Sequence, residues 1–318
     1  MIKNFSDIFD LPCHGHKDLE FADVRVGTDN CLFIDPSRIR LAADEGNIWA
    51  EKATALMDSF FNALLLAVQN HDMGTVRQLT EGKCCEINAT QLGFSVGHPT
   101  GTGASFDLIY PAIQQMIDQR LFEQGLVIGI EDFSIWAKGI DADRLSDWIT
   151  NLIWPVLEEF TTDQYHKYGL EIETNPVDRY AWDLSSSQWV RRKSFPHLCG
   201  TQYIYLCPKS FVNTQLLLSI ENFLKLEILS YRQRWHLNEK SALCGQRTKN
   251  DGSIVITKPT KRSLMEHEVK GTPHLAYVLT QTQGNPELIR NYHNRYSYHP
   301  DDKGIFISDE RLDQLLYS

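Results

Sequence analysis

The sequence has no apolar run long enough to cross a membrane. A bilayer-spanning helix needs about 20 consecutive apolar residues, and the two most apolar segments, 60–68 and 126–135, are shorter or broken by polar residues. The first residues, MIKNFSDIFDLP, contain acids where a secretion signal would be uninterruptedly apolar. We therefore expect a cytoplasmic protein without a membrane partner.

The sequence also lacks the cysteine pattern of a disulfide framework or a zinc ribbon. Its seven cysteines form an odd set that contains one adjacent pair but no Cys-X-X-Cys. There is no internal repeat and no long Gly/Ser/Pro linker. With 42% hydrophobic and 23% charged residues over 318 positions, the composition is that of an ordinary globular protein.

Charge is distributed unevenly along the chain, whose formal net charge is -10. Residues 1–188 contain 13 Lys and Arg against 29 Asp and Glu, whereas residues 189–270 contain 14 against 6. Cations interleaved with aromatic residues suit a surface that contacts the phosphate backbone of DNA or RNA. The alternative is that they face acidic groups of the same chain or of a protein partner. The candidate nucleic-acid-binding residues are Arg191, Arg192, Lys193, Lys258, Lys261 and Arg262.

Hydrophobic periodicity predicts an α+β fold of mixed helices and strands. Helices are expected at about 47–70, 110–124, 143–167, 212–236 and 260–281, with Asp143 and Asn213 as N-caps of two of them. Strands are expected near 30–34, 86–94, 126–130, 169–174, 179–190 and 200–207, and a hairpin over 244–257 that turns at Asn250-Asp251-Gly252. Five tryptophans are expected in the core: Trp136, Trp148, Trp154, Trp182 and Trp189.

The elements alternate without the regular period of a barrel or a doubly wound sheet, so we expect one compact domain or two closely packed lobes. Residues 1–175 would form an acidic, helix-rich lobe that contains a glycine-rich loop and the string Asp143-Arg-Leu-Ser-Asp147. Residues 176–318 would form a basic, strand-containing lobe that ends in helices.

The glycine-rich stretch 93–105 lies between a predicted strand and a predicted helix, a setting in which backbone amides can hold an anion. A Walker loop would need Lys followed by Ser or Thr where Ala104-Ser105 stands, and a dinucleotide fingerprint would need glycine in place of Phe106. We therefore expect neither ATP nor NAD. Binding of a phosphate or a sugar phosphate by this stretch is the remaining alternative. The candidate anion-binding residues are Gly97, Gly101, Gly103 and Ser105.

Asp143 and Asp147 are four residues apart at the start of a predicted helix and would share one face. Two carboxylates on one face suit a divalent cation. The alternative is that acids in a first turn are favoured by the helix dipole alone. Together with Glu86 and Lys209, the two aspartates form a candidate catalytic set for a nuclease that uses Mg²⁺ or Mn²⁺, provided the fold brings the four together.

Several strings of the sequence resemble those of a group of uncharacterised bacterial proteins. They are Asp29-Asn-Cys-Leu-Phe-Ile-Asp35-Pro36, Glu86 followed by Leu92-Gly-Phe-Ser95 and Gly101-Thr-Gly103, Asp143-Arg-Leu-Ser-Asp147 with Asn151, and Leu206-Cys-Pro-Lys209. The resemblance spans 25 to about 295, nearly the whole chain. Some of these proteins are encoded among antiviral-defence and mobile-element genes, but the motifs imply no established activity.

Three hypotheses about function follow from the residues and this resemblance. The first is a defence-type protein that engages nucleic acid, with or without nuclease activity. The second is a non-enzymatic adaptor that docks an acidic protein encoded beside it. The third is a sensor of a nucleotide or another small molecule that uses the glycine-rich loop.

Overall fold

The computed structural model describes residues 3–81, 87–93, 106–297 and 306–317. The helices are α1 (Phe5–Ile8), α2 (Pro36–Asp44), α3 (Ile48–Gln69), α4 (Met73–Thr80), α5 (Phe106–Asp118), α6 (Phe133–Trp136), α7 (Ala142–Lys167), α8 (Ile220–Phe223), α9 (Leu229–Glu239), α10 (Lys261–Leu264), α11 (His274–Gly284), α12 (Glu287–Ser297) and α13 (Asp309–Leu316). The strands are β1 (Phe33–Ile34), β2 (Val177–Asp183), β3 (Gln188–Ser194), β4 (His197–Cys199), β5 (Gln202–Ile204), β6 (Val212–Asn213), β7 (Gly245–Thr248) and β8 (Ile254–Thr257). The predicted α+β class is confirmed.

The strands form small antiparallel sheets of two strands each, pairing β1 with β6, β2 with β3, β4 with β5 and β7 with β8. Helices therefore supply most of the regular structure. None of the helices in the described ranges is both long enough and apolar enough to span a membrane.

Contacts divide the chain into two compact units. Unit 1 comprises Met1–Phe122, Val127–Leu217 and Pro300–Ser318, and unit 2 comprises Glu123–Leu126 and Leu218–His299. The seam expected at 175/176 lies inside unit 1, just before β2. The contact boundary follows β6 instead.

Helices α3 and α7 form the centre of unit 1. The side chain of Asn47 caps α3 by accepting hydrogen bonds from the backbone N–H groups of Trp49 and Ala50, both at 3.0 Å. The ring of Phe60 on α3 then packs edge-to-face against Trp148 of α7 and Trp182 of β2, at centroid distances of 5.9 and 5.1 Å. Four of the five predicted core tryptophans are buried, namely Trp136, Trp148, Trp154 and Trp182, and Trp189 is half-buried.

Unit 2 contains two π-helical turns, Leu224–Ile228 between α8 and α9, and Met265–Val269 after α10. A π-helical turn bonds residue i to i+5, which inserts an extra residue into a helix and often occurs where a side chain must be specially placed. The hairpin predicted over 244–257 is confirmed as β7 and β8.

Some expected strands are absent from the described part of the chain. The stretch predicted at 126–130 leads into a 3₁₀ turn, because the carboxylate of Asp132 accepts hydrogen bonds from the N–H groups of Ile128 and Gly129 at 2.7 and 3.0 Å. Residues 169–174 form one isolated bridge, from Thr174 to His197. The described part of 86–94 contains a 3₁₀ turn at Asn88–Thr90.

Both predicted N-caps are wrong by a few residues. Asp141 caps α7 by accepting a hydrogen bond from the N–H of Arg144 at 3.1 Å, so Asp143 lies within the first turn. Asn213 lies in β6, and the helical region begins later with Ser219 as its cap. In each case a nearby residue with an equally suitable side chain takes the capping position.

Candidate functional site

Several of the candidate residues lie outside the part of the chain that the structure describes. They are Glu86 and the loop residues Gly97, Gly101, Gly103 and Ser105. Their catalytic and anion-binding roles stay predictions. The remaining candidates lie at the start of α7, at Lys209, on β3 and in unit 2.

The carboxylates of Asp143 and Asp29 both lie beside Gly93. A β-carbon added to Gly93 would meet a carboxylate oxygen of Asp143 at 3.3 Å and one of Asp29 at 3.6 Å. The backbone of Gly93 has a φ of +140°, which favours glycine. The two carboxylates therefore face one small space, and we call Asp29 and Asp143 the carboxylate pair.

Hydrogen bonds between distant segments create the carboxylate pair. The buried amide of Asn30 donates to the carbonyl of Gln91 at 2.8 Å, and the N–H of Gly93 donates to the carbonyl of Asn30 at 3.0 Å. The N–H of Ile34 donates to the hydroxyl of Ser146 in α7 at 2.9 Å. Three of the strings that carry the family resemblance thus meet at the start of α7.

Asp147 follows Asp143 by one turn of α7, and its backbone carbonyl accepts a hydrogen bond from the Asn151 amide at 3.0 Å. Within the described ranges, no three His, Cys, Asp or Glu side chains are arranged to hold a metal ion. Mg²⁺ is commonly held by one or two carboxylates, with waters and substrate phosphates completing its shell. The carboxylate pair fits that mode of binding. One of its members, Asp29, was not among the candidate catalytic residues predicted from the sequence.

Lys209 takes part in contacts elsewhere in unit 1. Its ammonium group lies 2.8 Å from a carboxylate oxygen of Asp309 on α13, and its N–H donates to the carbonyl of Glu20. The carboxylate of Glu20 accepts a hydrogen bond from Gln164, near the end of α7 opposite to Asp143. None of the contacts described for Lys209 is with Asp143. The contacts of Lys209 therefore hold the start of α13 against the rest of unit 1.

The cations of β3 are exposed but partly neutralised. Arg192 forms a salt bridge with Asp183 at 3.2 Å. In the register of the β2–β3 hairpin, Lys193 lies directly opposite Asp178. Arg191 faces an aromatic ring across the same hairpin. Two of the three candidate cations on β3 therefore have an acidic neighbour within their own hairpin.

Unit 2 brings together four cations from separate segments: Lys225, Lys258, Lys261 and Arg295, which we call the cationic cluster. Burial lowers the pKa of Lys261, and the positive charges of Arg295, Lys258 and Lys225 lower that pKa further. Contacts bring three of them to the same turn, since the Lys261 ammonium donates to the carbonyl of Lys225 and Arg295 lies 3.8 Å from Glu227. Lys258 precedes Lys261 by three residues. Lys225, Lys258 and Arg295 are exposed, and Lys261 is half-buried.

The first π-helical turn of unit 2 positions this cluster. It exposes Lys225, whose carbonyl accepts a hydrogen bond from the Lys261 ammonium at 2.5 Å. It also buries Glu227, whose carboxylate oxygens lie 3.8 Å from the guanidinium groups of Arg234 and Arg295. Burial raises the pKa of Glu227 against the effect of these cations. One buried carboxylate leaves the cluster with a net positive charge.

Arg262 is exposed in the first turn of α10, next to Lys261 in sequence. It borders an open cleft that is also lined by Glu266 and Lys270. Unit 2 as a whole is basic, since its residues contain 12 Lys and Arg against 8 Asp and Glu.

Residues 11–219 match a family described as a domain of unknown function, DUF8370. The chain belongs to this family. The matched stretch ends at the start of the main segment of unit 2, Leu218–His299, so the DUF8370 match includes the carboxylate pair and leaves the cationic cluster outside. No curated protein and no solved structure matches the chain. The expected resemblance to an uncharacterised family agrees with this assignment.

Proposed function

We propose that this DUF8370 protein binds nucleic acid through the cationic cluster of unit 2. The observation that carries the proposal is the grouping of cations at the first π-helical turn of unit 2, where the Lys261 ammonium donates to the carbonyl of Lys225 and Arg295 lies 3.8 Å from Glu227. Lys258 precedes Lys261 by three residues. Like charges held together repel one another unless an anion neutralises them. A phosphate backbone supplies regularly spaced negative charges, and its counterions are released when protein cations replace them.

Replacement of Lys225 and Lys258 by Ala tests this proposal, because both side chains are exposed and their loss leaves the fold intact. We expect the double variant to bind DNA and RNA of any sequence about tenfold or more weakly, since each cation contacts phosphate rather than a base. Fluorescence anisotropy with labelled oligonucleotides measures the effect.

Lys270→Ala combined with Arg290→Ala is the matched control for this charge removal. Both residues are exposed in unit 2, and each pairs with a neighbouring glutamate on its own helical segment. The control should bind as the wild type does. Equal weakening in both variants would contradict binding through the cationic cluster. A wild type that binds no nucleic acid but co-purifies with an acidic protein would favour the adaptor hypothesis instead.

We propose as a second function that the carboxylate pair serves metal-dependent cleavage of nucleic acid. Support comes from the carboxylates of Asp29 and Asp143, which approach the same space beside Gly93. These side chains would hold Mg²⁺ or Mn²⁺, which when bound polarises a phosphodiester and activates water. We expect cleavage to require the added metal.

Asp143→Asn should abolish cleavage with Mg²⁺ or Mn²⁺ while leaving the affinity for nucleic acid unchanged, because the cationic cluster is untouched. Asp44→Asn, at an exposed position at the end of α2, is the control and should retain cleavage. A gel assay with labelled DNA and RNA measures both. A wild type that binds but cleaves with neither metal contradicts the second function and leaves the first standing.

A further inference from the structure

The β7–β8 hairpin presents an apolar face to solvent within a basic unit. Ile254 is 66% exposed and Ile256 is 37% exposed. In the register of the hairpin, Thr248 lies opposite Ile254 and Gln246 lies opposite Ile256, so these four side chains share one face. Arg247 and Val255 lie on the other face. A two-stranded ribbon is marginally stable by itself. Two exposed isoleucines on one face of such a ribbon therefore suggest that this face contacts another molecule.

The tip of the ribbon is well ordered by its own hydrogen bonds. The N–H of Lys249 donates to the carbonyl of Ser253 at 2.8 Å, and the N–H of Gly252 donates back to the carbonyl of Lys249 at 3.0 Å. The Asp251 carboxylate accepts hydrogen bonds from the N–H and hydroxyl of Ser253 at 2.9 and 2.6 Å. Gly252 has a φ of +80°, as this turn requires. These hydrogen bonds define the turn that joins β7 to β8.

The ribbon is continuous with the cationic cluster. Strand β8 ends at Thr257, and the next residue is Lys258 of the cluster. Arg247 and Lys249 add further positive charge along the ribbon, against one acidic residue, Asp251. A phosphate backbone held by the cluster would thus pass the base of the ribbon.

We propose that the β7–β8 ribbon enters the major groove of B-form duplex DNA, an inference that rests on the proposed binding function. The major groove of B-DNA is about 12 Å wide and admits a two-stranded ribbon. The two paired strands lie about 4.8 Å apart, so the ribbon is narrower than this groove and one of its faces can be turned toward the base edges. The major groove of A-form RNA is too narrow for side chains to reach the bases, and a single strand offers no groove.

The side chains of the exposed face also indicate which base pairs the ribbon contacts. Gln hydrogen-bonds both N6 and N7 of adenine, and apolar side chains contact the thymine methyl group. Gln246 and Ile256, opposite one another, therefore suit an A·T pair. The face has no Arg or Lys for guanine and no Asp or Glu for cytosine. We expect a preference for A·T-rich duplex DNA.

Binding to four oligonucleotides of equal length tests this inference: A·T-rich duplex DNA, G·C-rich duplex DNA, duplex RNA and single-stranded DNA. The wild type should bind A·T-rich duplex DNA about tenfold more tightly than duplex RNA, with G·C-rich DNA between them. Gln246→Ala and Ile254→Ala should each reduce the affinity for A·T-rich DNA toward that for RNA. Val255→Ala, on the opposite face, is the control and should keep the preference.

The outcomes separate this inference from the function on which it rests. The ribbon proposal alone is overturned by three results together. The wild type binds all four oligonucleotides with equal affinity, Gln246→Ala and Ile254→Ala leave that affinity unchanged, and the Lys225 and Lys258 double variant weakens it. No binding of any oligonucleotide by the wild type overturns the proposed function as well. Because Ile254 is mostly exposed, its replacement by Ala leaves folding intact.

Discussion

Glu268 joins α9 to the second π-helical turn of unit 2. Its carboxylate accepts hydrogen bonds from Arg232 at 2.9 and 2.8 Å and from the hydroxyl of Tyr277 at 2.5 Å, and it also contacts His236. Burial alone would raise its pKa, but the hydrogen bonds outweigh burial and lower the pKa to about 2. An ionised carboxylate therefore holds these two segments of unit 2 together.

Glu268→Gln should lower the free energy of unfolding of unit 2 by about 3 kcal/mol at neutral pH, since it leaves Arg232 without its counter-charge. The folded pKa lies below the ordinary 4.5, so this contribution is complete above about pH 4.5 and is lost as the pH falls toward 2. Urea denaturation at a series of pH values measures both effects.

Glu266→Gln is the matched control, because Glu266 is exposed in the same π-helical turn and pairs only with Lys270 among the described contacts. Its effect should stay below about 0.5 kcal/mol. If Glu268→Gln and the wild type lose stability equally between pH 4.5 and 2, the network does not contribute as described.

At the scale of single residues, the sequence predicted which side chains could be ligands better than it predicted which residues lie beside them. Asp143 was a candidate ligand because of its spacing from Asp147, yet its carboxylate faces Asp29. That meeting depends on the hydrogen bonds of Asn30 with segment 91–93, which join parts of the chain too distant for any spacing rule. The string that contains Asp29 was noticed, but no pattern assigned it a ligand role.

Helix α2 depends on a buried charge at its start. The carboxylate of Asp35 is fully buried and accepts hydrogen bonds from the N–H groups of Ser37 at 3.0 Å and Leu217 at 2.8 Å. Pro36 follows at the first helical position, where its missing N–H has no cost. Burial raises the pKa of Asp35 to about 6, although both backbone hydrogen bonds oppose this. Asp35 therefore caps α2 and joins the start of this helix to Leu217, at the end of the stretch Val127–Leu217 of unit 1.

Asp35→Ala should destabilise unit 1 by about 3 kcal/mol, because it removes a helix cap and the buried carboxylate that accepts the hydrogen bond from the N–H of Leu217. Asp44→Ala, at the exposed end of the same helix, should change stability by less than about 0.5 kcal/mol. Thermal and urea denaturation at neutral pH measure both. Equal stability of the two variants would show that the buried carboxylate is not what holds α2 in place.

At the scale of elements, long amphipathic helices and turn-encoded hairpins were predictable. Helices α3 and α7 begin and end within a residue or two of their predicted bounds, because their apolar positions repeat with the helical period. The short apolar run at 126–130 was predicted to be a strand, but the hydrogen bonds that Asp132 accepts lead it into a 3₁₀ turn. The two-residue strands β1 and β6 pair across most of unit 1, and no local pattern specifies that pairing.

At the scale of the whole molecule, the basic island at 189–270 spans parts of both compact units. Its β3 portion lies in unit 1 and is partly neutralised within its hairpin. Its later portion contributes Lys258 and Lys261 to the cationic cluster of unit 2. The charge profile was visible in the sequence, but the π-helical turn that adds Lys225 to the cluster was not. The DUF8370 match ends before these cations, so the proposed binding surface lies outside the matched stretch.

The salt dependence of DNA binding tests this placement of the binding surface most directly. Affinity of the full chain for duplex DNA, measured between about 50 and 200 mM salt, should fall with a log–log slope of about -4, because each of four phosphate contacts contributes about -0.9. The Lys225→Ala and Lys258→Ala double variant should reduce that slope by about 2. A wild-type slope near zero, or the same slope in both proteins, would contradict binding through the cationic cluster.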